Sequence, residues 1–428
     1  MKTVKELLEQ NASVDAFRIL EHRIRSYELF FVHQSLETVR ATDTADIEAT
    51  VYVDHDGFRG DSAFAAPESL SEEELNEKIS LAVRRARLVC NKPYTLTRGE
   101  SAPCVYLDTN LNEEAPETLA RRIADACFAA DTEEGGSINA LEIFLDREET
   151  RVVNSLGVDR SQVKYRVMIE AIPTFTRGGE SVELYEDLRF SEFDPERVTG
   201  MIREKMREVR DRFSAQKPQT PLQTNVILRA KEISSLMEEF SNELNYASVY
   251  AHSNLHALGD DLQENAAGDC DKITLTAKGT LPQSVFSKAF DEDGTSLADT
   301  CLIRDGKVEN YYGANRFGQY LEIPVPSGNL PCLRLEPGTL SEDLLEQMPH
   351  LECVSLSGLQ VDLYNDYIGG EIRLGYYFDG KTKTPVTGIT MSGKLSEVLR
   401  GLRLSERTGA YNAYEGAEKL LLRDMQIL

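Results

Sequence analysis

Cys301-Leu-Ile-Arg-Asp-Gly-Lys-Val-Glu-Asn-Tyr-Tyr312 reads as two alternating runs around Asp305-Gly306. Apolar side chains at every second position are the signature of a strand with one buried face. Asp-Gly is the dipeptide that a tight hairpin turn favours, because its turn positions need positive φ. Gly375-Tyr-Tyr-Phe-Asp-Gly-Lys381 repeats the device at Asp379-Gly380. From Asp271 onward the chain is therefore expected to be rich in strands.

Upstream the pattern changes. Residues 2–12 read as a short amphipathic helix. Between 16 and 65 apolar residues alternate, as in Ile47-Glu-Ala-Thr-Val-Tyr-Val53, with Asp56-Gly57 as a turn signal. Ser71-Glu-Glu-Glu74 is a capping box opening a helix with the stripe Leu75, Ile79, Ala82, Val83, Ala86 and Val89. A second helix starts near Pro116 with Leu119, Ile123, Ala126 and Cys127. Strands are expected at about 140–148, 150–156 and 163–175, and Asp194-Pro195 opens a helix to about 214. Gln216-Lys-Pro-Gln-Thr-Pro-Leu222 sets two prolines among polar residues and makes the best boundary. Beyond it come a strand at Asn225-Val-Ile-Leu-Arg229 and a helix carrying Ile233, Leu236, Met237, Phe240 and Leu244. The expected fold class is α+β: an N-terminal α+β half (1–215), then a β-rich C-terminal half (222–428).

Composition bounds the function. The 428 residues suffice for two or three domains, and 41% hydrophobic residues can bury a substantial core. A formal charge of −25 repels phosphate backbones and excludes direct nucleic-acid binding. No apolar run is long enough to cross a membrane, and Met1-Lys-Thr-Val-Lys-Glu-Leu-Leu-Glu-Gln10 lacks the apolar core of a secretory signal. Seven scattered cysteines without C-x-x-C read as reduced thiols. These features fit a soluble cytoplasmic protein.

No phosphate-cradling loop and no G-x-S-x-G elbow occur. Of six histidines, His22, His33, His55 and His350 are expected in surface or hydrogen-bonded structural roles. His252 and His256 stand apart because a spacing of four places both on one helix face. Asp260, Asp261, Glu264 and Cys270 are the nearby third ligands for a metal. The alternative is a helix turn ending at Gly259. A zinc peptidase of the H-E-x-x-H kind also needs a carboxylate after the first histidine, and here Ser253 stands there. The aromatic residues Tyr311, Tyr312, Phe317 and Tyr320, with Tyr364, Tyr367, Tyr376, Tyr377 and Phe378, read as ordinary strand packing or as pockets of a groove for an extended peptide.

Five stretches in order carry a resemblance: Phe290-Asp-Glu-Asp-Gly294, Leu302-Ile-Arg-Asp-Gly-Lys-Val308, Gly313-Ala-Asn-Arg-Phe-Gly318, Pro326-Ser-Gly-Asn-Leu330 with Leu335-Glu-Pro-Gly338, and Pro385-Val-Thr-Gly-Ile-Thr-Met-Ser-Gly393. They resemble the F-D-D-E-G, L-I-x-D-G-x-L, S-A-R-K-L-G, P-S-N-L…L-x-P-G and P-V-x-x-I-T-I-A-G-N motifs of the TldD/PmbA family, associated with proteolysis and peptide maturation. TldD-like members carry H-E-x-x-x-H and a late cysteine as zinc ligands. PmbA-like (TldE-like) members lack them and pair with a TldD-like subunit. The segment 249–259 resembles the PmbA version, and no cysteine follows Cys353. The family's S-T-G-N-A stretch is missing between Gly318 and Pro326, and Val361-Asp-Leu-Tyr-Asn-Asp-Tyr-Ile-Gly-Gly370 replaces its G-V-N-P-V-T-G-D-F-S. The resemblance implies a subunit of a peptide-processing assembly, dimeric with a TldD-like chain or with itself, acting on peptide or unfolded polypeptide. It implies no catalytic residue and no zinc in this chain; Tyr311, Tyr312, Arg316 and Asn329 are the candidates for lining a peptide groove. Two alternatives remain: a divergent zinc metallopeptidase using His252 and His256, and a homo-oligomeric peptide-binding scaffold.

Overall fold

The computed structural model describes residues 2–219 and 221–428. Met1 of the N-terminal stretch and Thr220 of the 216–222 linker lie outside the described residues. The chain is mixed helix and sheet, and its C-terminal half is built mainly of strands.

Residues 16–190 form one eight-stranded sheet. Its central strands are long: Ser35–His55, Ala16–Val32, Gly136–Asn154 and Asp159–Arg177, paired antiparallel in that order. Two strands were expected over 140–156. One continuous strand forms, because Glu148-Glu149-Thr150 contains no breaker and pairs on both sides. Phe17, Ile19 and Leu29 share a parity and so face the same side. On that side lie helices Val4–Gln10, Glu72–Ala86, Pro116–Phe128 and Pro195–Ser214. Capping sets their starts. Thr3 and Ser71 each close a capping box, with Glu6 and Glu74 respectively. Asp194 accepts the amides of Glu196 and Arg197 ahead of the N1 proline. The first helix is shorter than the 2–12 expected because Thr3 caps it.

The sheet's other face takes the C-terminal half. Val152, Val158 and Phe290 pack there with Leu20. Lys164 Nζ donates to Val285 O at 2.8 Å, and the Ala289 amide to Gln162 Oε1 at 2.8 Å.

The C-terminal half has a six-stranded and a seven-stranded sheet. Thr300–Arg304 and Lys307–Val308 turn at Asp305, whose φ is 50°, and Gly306. The second run of this hairpin ends earlier than its alternation suggested. Tyr367–Phe378 and Lys383–Val386 form the hairpin at Asp379-Gly380. Between the sheets runs helix Ala230–Glu243, with Ile233, Leu236, Met237 and Phe240 fully buried. Among the described residues no helix is long and apolar enough to cross a membrane, and all seven cysteines are free thiols.

A charge network sits where that helix begins. Arg229 reaches Glu208 at 2.8 Å, Glu352 at 3.0 Å and Glu204 at 3.1 Å. Lys383 also holds Glu352, at 2.8 Å. Burial alone would raise the Glu352 carboxyl, but Arg229 and Lys383 outweigh it and hold the group down to about 2, against 4.5. A folded-state value below the unfolded one means this stabilisation is complete above pH 4.5 and is lost as pH falls toward 2. Glu352→Gln is expected to cost about 2 kcal/mol at neutral pH, since it removes the buried carboxylate shared by half-buried Arg229 and exposed Lys383. The cost should shrink in acid, where the wild type loses the same carboxylate, and urea titrations at neutral pH and near pH 3 measure both.

Candidate functional site

The two-histidine segment is not a helix face. Helix Tyr246–Tyr250 begins at Asn245, whose side chain caps the Ala247 amide, and stops short of both imidazoles. His252 is exposed in a left-handed turn with φ 55°. Gly259 does take a positive φ, 92°, but it closes a loop. The Ser253 hydroxyl donates to Ser248 O at 3.1 Å, so this side chain is spent on holding the turn.

His256 points elsewhere. Its Nδ1 lies 2.5 Å from Glu243 Oε1, and the Leu255 amide donates to Glu243 Oε2 at 2.9 Å. A carboxylate on one ring nitrogen is also how metal-binding imidazoles are oriented. Here, however, no further donor converges. Among the described residues no three His, Cys, Asp or Glu side chains are placed to hold a metal ion. Asp260 accepts the Ala257 amide, and Cys270 sits among Gln263, Asp271 and Leu399. Zinc of the H-E-x-x-x-H kind does not fit this donor set.

Beside this loop the structure assembles an aromatic surface. Tyr312 O accepts the Tyr246 amide at 2.6 Å, and the Gly313 amide donates to Ser327 Oγ at 3.1 Å, lacing three loops together. Gly318 lies so close to Pro326 that a Cβ would sit 2.8 Å from its Cγ. That contact seats the helix Asn315–Tyr320 against residues 326–330. Phe317 and Tyr320 of this helix meet Tyr250 at 5.9 and 4.9 Å between centroids. Arg316 lies over the rings of Tyr94, Phe317 and Tyr320 at 5.4, 5.4 and 5.6 Å, close enough for cation–π attraction. Its Nη2 donates to Asn91 Oδ1 at 2.7 Å.

Of the four groove candidates, Arg316 lies in this surface. Tyr311 is half-buried, with its hydroxyl 3.5 Å from His256 O. Asn329 is exposed, and its Oδ1 accepts from Asn245 Nδ2 at 3.3 Å. Tyr312 is only 6% exposed and shares a hydrogen bond with Ser241, so its ring belongs to the core. The later aromatics scatter: Tyr364 donates to Ser253 O, Tyr376 to Asp211, and Phe378 meets His350 at a tilt of 47°.

Sequence reasoning missed the N-terminal contribution, Asn91-Lys-Pro-Tyr-Thr95. Thr95 O accepts Asn315 Nδ2 at 2.9 Å and Gln319 Nε2 at 2.7 Å, and the Tyr320 hydroxyl donates to Lys92 O at 2.5 Å. An X-Pro step flanked by a lysine and a tyrosine was the available signal. A shallow depression of about 570 Å³ adjoins it, between the turn at Asp56-Gly57 and Tyr94, Thr95 and Gln319. Exposed Leu255, Leu258, Val325 and Tyr364 extend the apolar character outward. Aromatic faces, one guanidinium and backbone groups suit binding of an extended chain.

Residues 221–427 match the family model described as PmbA/TldA metallopeptidase C-terminal domain. Among curated protein sequences none matches. In overall structure the chain is similar to TldE from Thermococcus kodakarensis, with a TM-score of 0.77 and 15% identity over 99% of this chain and 100% of that one. It is also similar to a protein described as a candidate modulator of a DNA gyrase from Thermotoga maritima, with a TM-score of 0.76 and 14% identity over 99% and 98%. A protein similarly described from Bacteroides thetaiotaomicron gives 0.76 and 13% over 99% and 97%. At such identities these likenesses establish the fold.

Arg316→Ala removes three ring contacts and the bond to Asn91. It is expected to cost about 1–2 kcal/mol and to speed amide exchange around Thr95. Tyr320→Phe keeps the stack and loses the hydroxyl's bonds to Lys92 O and from Arg316 Nε, about 1–2 kcal/mol. Denaturant unfolding with hydrogen exchange checks both.

Proposed function

Because the chain belongs to the TldD/PmbA family through residues 221–427, we propose that it is a TldE/PmbA-like subunit of a peptide-processing assembly, without a complete zinc site of its own. The observation that carries this reading is the loop 250–258. Ser253 occupies the place of a general base and is bonded to Ser248 O, and His252 is turned out of the helix. A chain that cannot activate a water can still hold substrate. The surface around Tyr250, Arg316, Phe317 and Tyr320 would supply one wall of a shared groove for a peptide or unfolded polypeptide. The acidity of the chain, −25, argues against nucleic acid as the partner and suits the cytoplasm.

A free strand edge supports a two-chain assembly. Ser35–His55 pairs outward only over 48–55, with Phe58–Ala65. Among the described residues 35–46 have no ladder partner on that side, and Val32, Leu36 and Val39 are exposed beside it. Such edges in stable proteins are covered or paired. A TldD-like chain is the physiological partner in this reading, and a second copy takes its place when the protein is purified alone.

The purified chain is expected to hold no tight zinc after dialysis against a weak chelator, and to cleave peptides only with a TldD-like chain from the same organism. Elemental analysis, sedimentation and a peptidase assay with and without that chain check this. About one equivalent of zinc, lost in the His252→Ala/His256→Ala double variant, would instead establish the divergent metallopeptidase, since a site needs three protein ligands. A monomer of 48.0 kDa unchanged by the TldD-like chain would remove the assembly.

A further inference from the structure

We propose that the charged cleft between the two halves is a second binding site, taking the free amino terminus of a short peptide, with Glu232 as the acceptor of its ammonium group. The cleft has a volume of about 540 Å³, within the range of small-molecule sites, and lies between helix Pro195–Ser214 and the start of helix Ala230–Glu243. The class of ligand rests on the peptide-handling reading above. The site does not overlap the aromatic surface.

The argument is one of charge accounting. Nearly every acid in the cleft is already held. Glu208 is taken by Lys205 at 2.9 Å and Arg229 at 2.8 Å. Glu352 is taken by Arg229 and Lys383. Glu186 lies 3.4 Å from Lys205 and Glu418 lies 3.4 Å from Arg407. Glu232 is the exception. It is 5% exposed and lines the cleft, and among the described residues its carboxylate forms no ion pair. Lys231, its neighbour, lies over the Tyr411 ring at 5.9 Å instead. A buried carboxyl lacking a cation is costly, and burial raises this one despite Lys231, Arg229 and Lys205 nearby.

Two further features select the ligand. Among the described residues no three His, Cys, Asp or Glu side chains are placed to hold a metal ion, which disfavours a metal and leaves a single ammonium as the complement. The strand Thr408–Tyr411 is the edge of the six-stranded sheet, and Gly409, Ala410 and Tyr411 line the cleft. An edge strand offers free backbone groups to an extended peptide. A peptide entering amino end first can therefore place its ammonium at Glu232 and its backbone along 409–411. Its carboxylate end then faces Lys231, which among the described residues forms no ion pair.

Trialanine with free termini and its N-acetyl form, titrated into the full chain by calorimetry, test this. Saturable binding of one trialanine per chain is expected, with the acetylated form about tenfold weaker, the worth of one charge-assisted hydrogen bond. Glu232→Gln should abolish the difference between the two forms. The acetylated ligand guards against a variant that misfolds. Equal binding of the two forms by the wild type, or no saturable binding up to about 10 mM, overturns the proposal. Should the assembly fail to process peptides while trialanine still binds through Glu232, the shared-groove reading falls and the cleft stands. Processing without any effect of acetylation removes the cleft alone.

Discussion

The helix Ala230–Glu243 is buried over most of its circumference, and its two ends fix the chemistry on either side of the molecule. Its fourteen residues span about 21 Å at the α-helical rise. At its start Arg229 ties the C-terminal sheets to Glu208 of the N-terminal half, and Glu232 faces the cleft between them. At its end Glu243 holds His256 and the Leu255 amide, so the 250–258 loop takes its shape from this helix. A buried helix cannot shift without breaking the apolar contacts of both sheets, so the two sites are held at a fixed separation.

This explains which parts were legible in the sequence. The hairpins at Asp56-Gly57, Asp305-Gly306 and Asp379-Gly380 were readable because turn chemistry is local. The capped helices at Ser71 and Asp194 were readable for the same reason. The stripe Ile233, Leu236, Met237 and Phe240 announced a buried helix. What surrounds it was not legible, because the partners of Arg229 come from residues 204, 208 and 352, far apart in the chain. The same limit hid Asn91, Tyr94 and Thr95, which meet helix Asn315–Tyr320 across more than two hundred residues. Tyr312 shows the converse. Its place in an aromatic run suggested a groove, but the Ser241 hydroxyl and the Leu244 carbonyl draw it into the core.

The histidine pair illustrates how spacing misleads when the helix it assumes does not form. Four residues apart means one face only if the backbone stays helical. Here the left-handed turn at His252 breaks that relation, and Glu243 recruits only His256. Around this loop the chain gathers aromatic rings and a guanidinium. In the proposed function, this arrangement holds a chain and leaves bond cleavage to a partner.

The most direct measurement is photocrosslinking of a peptide bearing a benzophenone side chain, caught during turnover by the assembly of this chain with a TldD-like one. The account has crosslinks on this chain at Tyr250 and within 316–325, lost in Arg316→Ala. Crosslinks confined to the partner chain, with this one untouched although cleavage proceeds, would contradict it.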